Sequence, residues 1–272
     1  MKNYHVQLLW FVLILFQFSL AAQESETGHQ IHKDIPYYED NVTDPYIRER
    51  CKLDLAIPRE AKGFSTVIWF HGGGLTGGEK FIPERLMGKD IAIVAVNYRL
   101  NPNVTSPAYI EDAAAATAWV FNNIENYGGN KNRIVLAGHS AGGYLVMMIG
   151  LDKQWLAKYN IDSDMIRLLV PFSGHTITHM TIRKERGIPD TQPIVDMMAP
   201  LYHVRINAPP LHLITGDRNL EMLGRYEENA YMWRMMKTVG HANTYLYELQ
   251  GFDHGSMAEP GFDLLLKIIH NL

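Results

Sequence analysis

One regularity of the sequence restricts its fold more than any other: short apolar runs alternate with longer stretches of helical periodicity. Residues 66–70 and 91–96 are unbroken runs of apolar and β-branched residues, which is typical of strands buried on both faces. Ser106 and Pro107 then open a helical pattern, because serine caps helices and proline suits the first helical position. Further strands are predicted at residues 133–137, 168–170, 211–214 and 244–247. The alternation predicts an α/β fold in which helices cover both faces of a mostly parallel sheet.

The composition excludes several classes of protein. Of the 272 residues, 47% are hydrophobic and 20% are charged, which is ordinary for a globular chain and excludes disorder and coiled coil. The net charge is −4 and there is no basic run, so we expect no nucleic-acid partner. Cys51 is the single cysteine, which excludes an internal disulfide and a cysteine-based zinc cluster. The sequence leaves the oligomeric state open.

The first residues differ from the rest of the chain. Residues 8–16 form an apolar run that is too short to span a bilayer comfortably, and small residues follow it. We therefore expect residues 1–22 to be a signal peptide, cleaved after Ala21 or Ala22, and an uncleaved anchor is the alternative. The remaining residues 23–272 are expected to form a single α/β domain that is secreted or periplasmic, with no stable membrane insertion after cleavage.

The sharpest chemical signal is Gly138-His139-Ser140-Ala141-Gly142, a G-x-S-x-G pattern. A predicted buried strand precedes this pattern and a predicted helix follows it. A sharp turn between strand and helix exposes the serine oxygen, and the flanking glycines relieve the crowding there. By chance the pattern also occurs as a tight turn with an exposed serine, but this context favours Ser140 as a nucleophile.

A second signal is His71-Gly72-Gly73-Gly74, which follows the strand at residues 66–70. Glycines allow the backbone to approach a substrate and to direct its N–H groups at an oxyanion. We expect the oxyanion donors to be the N–H groups of Gly73, Gly74 and Ala141. A phosphate-binding loop is excluded because no Gly-Lys-Ser/Thr sequence ends this segment.

A serine nucleophile needs a base and an acid, which follow it in the order acid and then histidine. His254 alone among the twelve histidines lies in a loop just after the last predicted strand. Asp217 ends the strand at residues 211–214 and is the expected acid. Glu221 is the alternative carboxylate, and the weaker candidates are Asp190 and Asp196.

Together these residues make the chain resemble the α/β-hydrolase superfamily over about residues 50–270. The closest resemblance is to small secreted esterases of the acetyl-esterase/feruloyl-esterase-like branch, related to the hormone-sensitive-lipase group. The resemblance implies an α/β-hydrolase fold with a small or absent cap, and a bracing role for Asn97, Tyr98 and Arg99. One departure is Asn219, which occupies the position where many of these hydrolases carry the acid.

The expected activity is that of a serine carboxylesterase that hydrolyses short-chain acyl esters through a Ser-His-Asp triad and an acyl-enzyme. Carbohydrate-linked acetyl or feruloyl esters are one substrate option, so the partner is a small-molecule or polysaccharide ester. The mechanism needs no metal and no cofactor, and His175 and His179 lack the glutamate of an H-E-x-x-H site. The alternatives are an arylformamidase-like amidase, a peptidase on the same triad, and a non-catalytic binding protein. The long connection at residues 175–204 is expected to be a functional loop or a small cap.

Overall fold

The computed structural model describes residues 23–24, 28–39 and 41–271. The expected signal peptide at residues 1–22 lies outside these residues, and the domain boundaries at 23 and 272 stay predictions. The described strands are β1 (Gln23–Glu24), β2 (His29–Pro36), β3 (Lys52–Pro58), β4 (Phe64–Phe70), β5 (Ile91–Val96), β6 (Gly129–His139), β7 (Leu168–Phe172), β8 (Leu211–Gly216) and β9 (Thr244–Leu249). No helix in this part of the chain has the length and apolar character needed to cross a membrane.

The strands of the described residues join in one sheet with the order β1-β2-β3-β5-β4-β6-β7-β8-β9. The pairs from β5 to β9 are parallel, whereas β1, β2 and β3 pair antiparallel with their neighbours. After β4 the chain turns to β5 on one side, and it then crosses to β6 on the other side. This reversal opens a crevice at the carboxyl ends of β4 and β6, where open α/β sheets bind their ligands.

Helices lie on both faces of the sheet, as the alternation of strands and helices predicts. The helices are α1 (Pro45–Arg50), α2 (Ala108–Asn123), α3 (Ala141–Leu151), α4 (Gln154–Ala157), α5 (Met180–Glu185), α6 (Arg225–Thr238) and α7 (Ala258–His270). Along β4, Ile68 and Phe70 enter the core that contains residues of α2 and α3, whereas Val67 and Trp69 enter the core that contains residues of α7. Both faces of the central strands are thus buried, which explains their continuous apolar runs.

The sequence patterns described above predict no strand within residues 23–36, but residues 29–36 form β2 and pair with β3, with Ile31 opposite Ala56. Seven of the eight residues of β2 are partly buried or exposed. A strand near the edge of a sheet does not need an apolar run, so its sequence carries little signal.

The connection between β7 and β8 forms only a small cap. It contains the short helix α5 and a single 3₁₀ turn, Pro200–His203. The expectation of a small cap therefore agrees with this part of the structure.

Candidate active site

Five neighbouring strands deliver the candidate residues to one edge of the sheet. Phe70 of β4 aligns with Gly138 of β6, and His139 aligns with Phe172 of β7. Residues 71–78 after β4 form the glycine loop. This loop and the turn after β6 therefore start side by side. The segments that follow β7, β8 and β9 begin along the same edge, because these strands are parallel to β6. Parallel pairing thus brings together residues that are far apart in the sequence.

Ser140 lies at the sharp turn between β6 and α3. Its backbone has φ 55° and ψ −113°, which is a strained conformation for a residue with a side chain. Ser140 N donates a hydrogen bond of 2.8 Å to the Phe172 carbonyl, which fixes the turn against β7. Ala141 is the first residue of α3, and the N–H groups in the first turn of a helix have no partner within the helix. The turn therefore presents a serine next to an N–H group that suits an anion.

The glycine loop lies directly against this turn. A Cβ atom at Gly72 would lie 3.4 Å from Cβ of Ser140. Gly73 and Gly74 have φ values of 110° and 64°, which residues with side chains rarely adopt. The N–H groups of Gly73 and Gly74 have no hydrogen-bond acceptor within the described residues. Both groups are thus available to an oxyanion beside Ser140.

Buried side chains fix the glycine loop from behind. Tyr98 stacks on the His71 ring with 4.5 Å between centroids, and its hydroxyl donates a 2.8 Å hydrogen bond to the His71 carbonyl. Arg50 donates hydrogen bonds to Glu79 and to the Gly78 carbonyl. Thr181 of α5 donates its hydroxyl to the Gly74 carbonyl, which ties the small cap to the loop. The loop is therefore rigid, as a preorganised oxyanion site requires.

His254 is paired with Glu221. The His254 Nδ1 atom lies 2.5 Å from Oε1 of Glu221, and because the carboxylate has no proton to give, Nδ1–H is the donor. The Glu221 side chain is 1% exposed and that of His254 is 21% exposed, so the acid is enclosed and the imidazole can reach a substrate. Burial alone would raise the pKa of Glu221, but the hydrogen bonds from His254 and Ser173 outweigh it and lower that pKa to about 2.

The structure does not pair the Asp217 carboxylate with His254; the carboxylate that contacts this imidazole is that of the alternative candidate, Glu221. Asp217 is partly exposed, and its carboxylate accepts hydrogen bonds of 2.9 Å from the N–H groups of Asn219 and Gly251. Glu221 N donates to the Asp217 carbonyl at 2.8 Å, which closes one turn after β8. The carboxylate that reaches the His254 imidazole therefore lies at the end of this turn and not at the end of β8. Asp217 instead links the loop that carries Glu221 to the loop that precedes His254.

His139 and Ser173 also contact the pair, and the sequence reasoning missed both. His139 Nε2 lies 2.7 Å from the His254 carbonyl oxygen and is its donor, and burial lowers the pKa of His139 to about 4, which keeps the ring neutral. Ser173 donates its hydroxyl to Oε2 of Glu221 at 2.6 Å. The sequence offered one signal for each residue, namely its position: His139 directly precedes Ser140, and Ser173 directly follows β7.

One groove of the described residues lies away from the candidate site. The groove of 1240 Å³ is lined by residues such as Ser65, Ile91 and Arg133, at the edge of the sheet opposite to Ser140. Residues 23–24, 28–39 and 41–271 contain no group of three His, Cys, Asp or Glu side chains arranged to hold a metal ion.

The strand order, the turn at Ser140 and the His254–Glu221 pair define the class of this protein as an α/β hydrolase. The sequence model of the BD-FAE family matches residues 53–222, which is more than half of the chain. The chain belongs to the BD-FAE family.

Known proteins support this assignment. The chain is 27% identical over 220 residues to esterase LipC of Mycobacterium tuberculosis. The aligned region covers 72% of this chain and 51% of LipC. The chain therefore spans about half the length of this curated relative. A truncated carbohydrate esterase from gut microbiota superimposes with a TM-score of 0.75 at 17% identity, covering 91% of this chain and 98% of that one. Propionate-bound esterase 2 of Thermogutta terrifontis gives a TM-score of 0.69 at 22% identity, with coverages of 91% and 96%.

Proposed function

We propose that this chain is a serine carboxylesterase in which Ser140 is the nucleophile, His254 the general base and Glu221 the acid. The observation that carries the proposal is the 2.5 Å contact between His254 and Glu221 beside a serine at a strained strand-to-helix turn. In serine hydrolases an acid orients the histidine that activates the serine, and these roles are recognised by geometry and not by sequence position, which supports the proposal.

In the first half of the reaction, Ser140 Oγ attacks the carbonyl carbon of the ester while His254 Nε2 takes its proton. Glu221 remains ionised and stabilises the imidazolium that forms. The carbonyl oxygen becomes an oxyanion, which accepts hydrogen bonds from the N–H groups of Gly73, Gly74 and Ala141.

The oxyanion then collapses and the bond to the alcohol breaks, which completes acylation. His254 gives its proton to the leaving alcohol, and the acyl group stays on Ser140. Water then attacks the acyl carbon, with His254 again accepting a proton, and the carboxylic acid leaves as Ser140 regains its hydrogen. Protons and bonds balance without a cofactor.

We propose short acyl groups as substrates, with carbohydrate-linked acetyl esters as the natural class. The small cap packs onto the glycine loop through Thr181, and Tyr144 of α3 donates a 2.7 Å hydrogen bond to the Met198 carbonyl of the same cap. These contacts hold the cap against the glycine loop and α3, and we propose that the cap bounds the space for the acyl group. The names of the carbohydrate esterase and of the propionate-bound esterase are consistent with this substrate class.

Turnover of p-nitrophenyl acetate, butyrate and octanoate tests this proposal. We expect kcat/KM for acetate and butyrate to exceed that for octanoate by about tenfold or more, because an acyl pocket bounded by the small cap excludes the longer chain. The Ser140→Ala variant is the control and is expected to lose turnover. Equal turnover by the wild-type protein and Ser140→Ala would contradict the assignment, and a preference for octanoate would contradict the short acyl pocket.

A further inference from the structure

Ser173 has an unusual place for a serine. It is fully buried directly after β7, and its φ of 48° lies in the left-handed region that favours glycine. Its hydroxyl lies between the two members of the candidate pair, at 2.6 Å from Oε2 of Glu221 and 3.2 Å from Nδ1 of His254. A side chain at a position that suits glycine needs a compensating interaction, and the hydroxyl provides one with Glu221.

The Glu221 carboxylate is held from both sides. Oε1 accepts from His254 and, at 2.9 Å, from its neighbour Met222 N. Oε2 accepts from the Ser173 hydroxyl and, at 3.2 Å, from Gly216 N. Ser173 is the side chain that holds the second oxygen, so together with Gly216 N it sets the rotation of the carboxylate about its long axis.

A buried chain of hydrogen bonds fixes Ser173 in turn. Arg225, which is 2% exposed, donates to the Ser173 carbonyl and to Nε2 of His175. His175 Nδ1 is the donor to Glu228 at 3.0 Å, which leaves its Nε2 as an acceptor for Arg225. The positive charge of Arg225 thus lies in a buried network with Glu228, and the guanidinium holds the backbone of Ser173 in its strained conformation.

We propose that Ser173 is a positioning residue, whose hydroxyl orients Glu221 so that the carboxylate holds the His254 imidazole in its productive tautomer and direction. This inference rests on the proposed function. Ser173 acts through Glu221 and does not contact the substrate. Nothing in the usual acid, base and nucleophile pattern of the sequence identifies it.

The test compares Ser173→Gly and Ser173→Ala with the wild-type protein in the full chain. Glycine suits the positive φ, so Ser173→Gly removes the hydroxyl without straining the backbone. The matched control is Asn160→Gly, because Asn160 is exposed and has a φ of 58°. It makes the same backbone change away from the site. We expect both Ser173 variants to fold, with kcat for p-nitrophenyl acetate lower by about tenfold and KM within about twofold.

A spectroscopic readout separates this inference from the proposed function. The Nδ1 proton of His254, assigned with His254→Gln, is expected to shift upfield in the proton NMR spectrum of Ser173→Gly and to stay unchanged in Asn160→Gly. An unchanged Nδ1 resonance in Ser173→Gly, or a kcat of that variant within about twofold of the wild-type value, would overturn the inference. If Ser140→Ala retains turnover, the proposed function fails, and the resonance still decides the role of Ser173.

Discussion

Replacing Glu221 by glutamine is expected to lower kcat for p-nitrophenyl acetate by about 10³- to 10⁴-fold, with little change in KM. The Glu221 carboxylate accepts the Nδ1 proton of His254 at 2.5 Å and balances the charge of the imidazolium. A neutral amide cannot provide this balance, and its NH₂ group can select the wrong imidazole tautomer. Steady-state kinetics on the purified variant, together with a circular dichroism spectrum that shows it is folded, measure the effect.

Asp217→Asn is the matched control for this prediction. Asp217 lies in the same loop, but its carboxylate bonds to the N–H groups of Asn219 and Gly251 and not to His254. We expect its kcat to stay within about threefold of the wild-type value, because the Asp217 carboxylate has no contact with His254 and an amide oxygen can still accept one of its two hydrogen bonds. A larger loss of kcat in Asp217→Asn than in Glu221→Gln would restore Asp217 as the acid.

The second large effect is expected from Gly142→Ala, which should reduce the free energy of unfolding by at least about 3 kcal/mol or prevent folding. A Cβ atom at Gly142 would overlap the carbonyl oxygen of Phe70 and would lie 2.8 Å from that of His71. These are backbone atoms of β4 and of the glycine loop, so they cannot rotate away. Urea denaturation followed by circular dichroism measures the loss.

Gly77→Ala provides the comparison, because Gly77 lies in the glycine loop but its Cβ would have no atom within 4 Å. Its expected change in the free energy of unfolding is below about 1 kcal/mol. If Gly142→Ala unfolds at the same urea concentration as Gly77→Ala, then α3 does not pack against β4 as the structure describes.

The central strands were predictable because burial on both faces leaves an apolar run that no polar residue interrupts. Residues 91–96 illustrate this, since every residue of β5 is buried. The strand β2 was not predictable, because it lies near the edge of the sheet and most of its residues are polar and at least partly exposed. The strand β2 forms because it pairs with β3, and the sequence of β2 alone carries no signal of that pairing.

The residues of the candidate site also differ in how well the sequence predicts them. Ser140, His254 and the glycine loop were predictable because each carries a local pattern at the end of a strand. Glu221 was only the alternative acid, because its position depends on a turn after β8 that starts at Asp217. Ser173 was missed because its role depends on where β7 places it in the sheet, next to β6 and β8.

The most direct test of the central claim is the reaction of the folded chain with paraoxon, followed by intact-protein and peptide mass spectrometry. An organophosphate phosphorylates a serine that a neighbouring base activates, so this measurement does not depend on the natural substrate. We expect one diethylphosphoryl group per chain, located on Ser140, and slower labelling in Glu221→Gln. Labelling at another residue, or no labelling of the folded wild-type chain, would contradict the assignment of Ser140 as a nucleophile activated by His254 and Glu221.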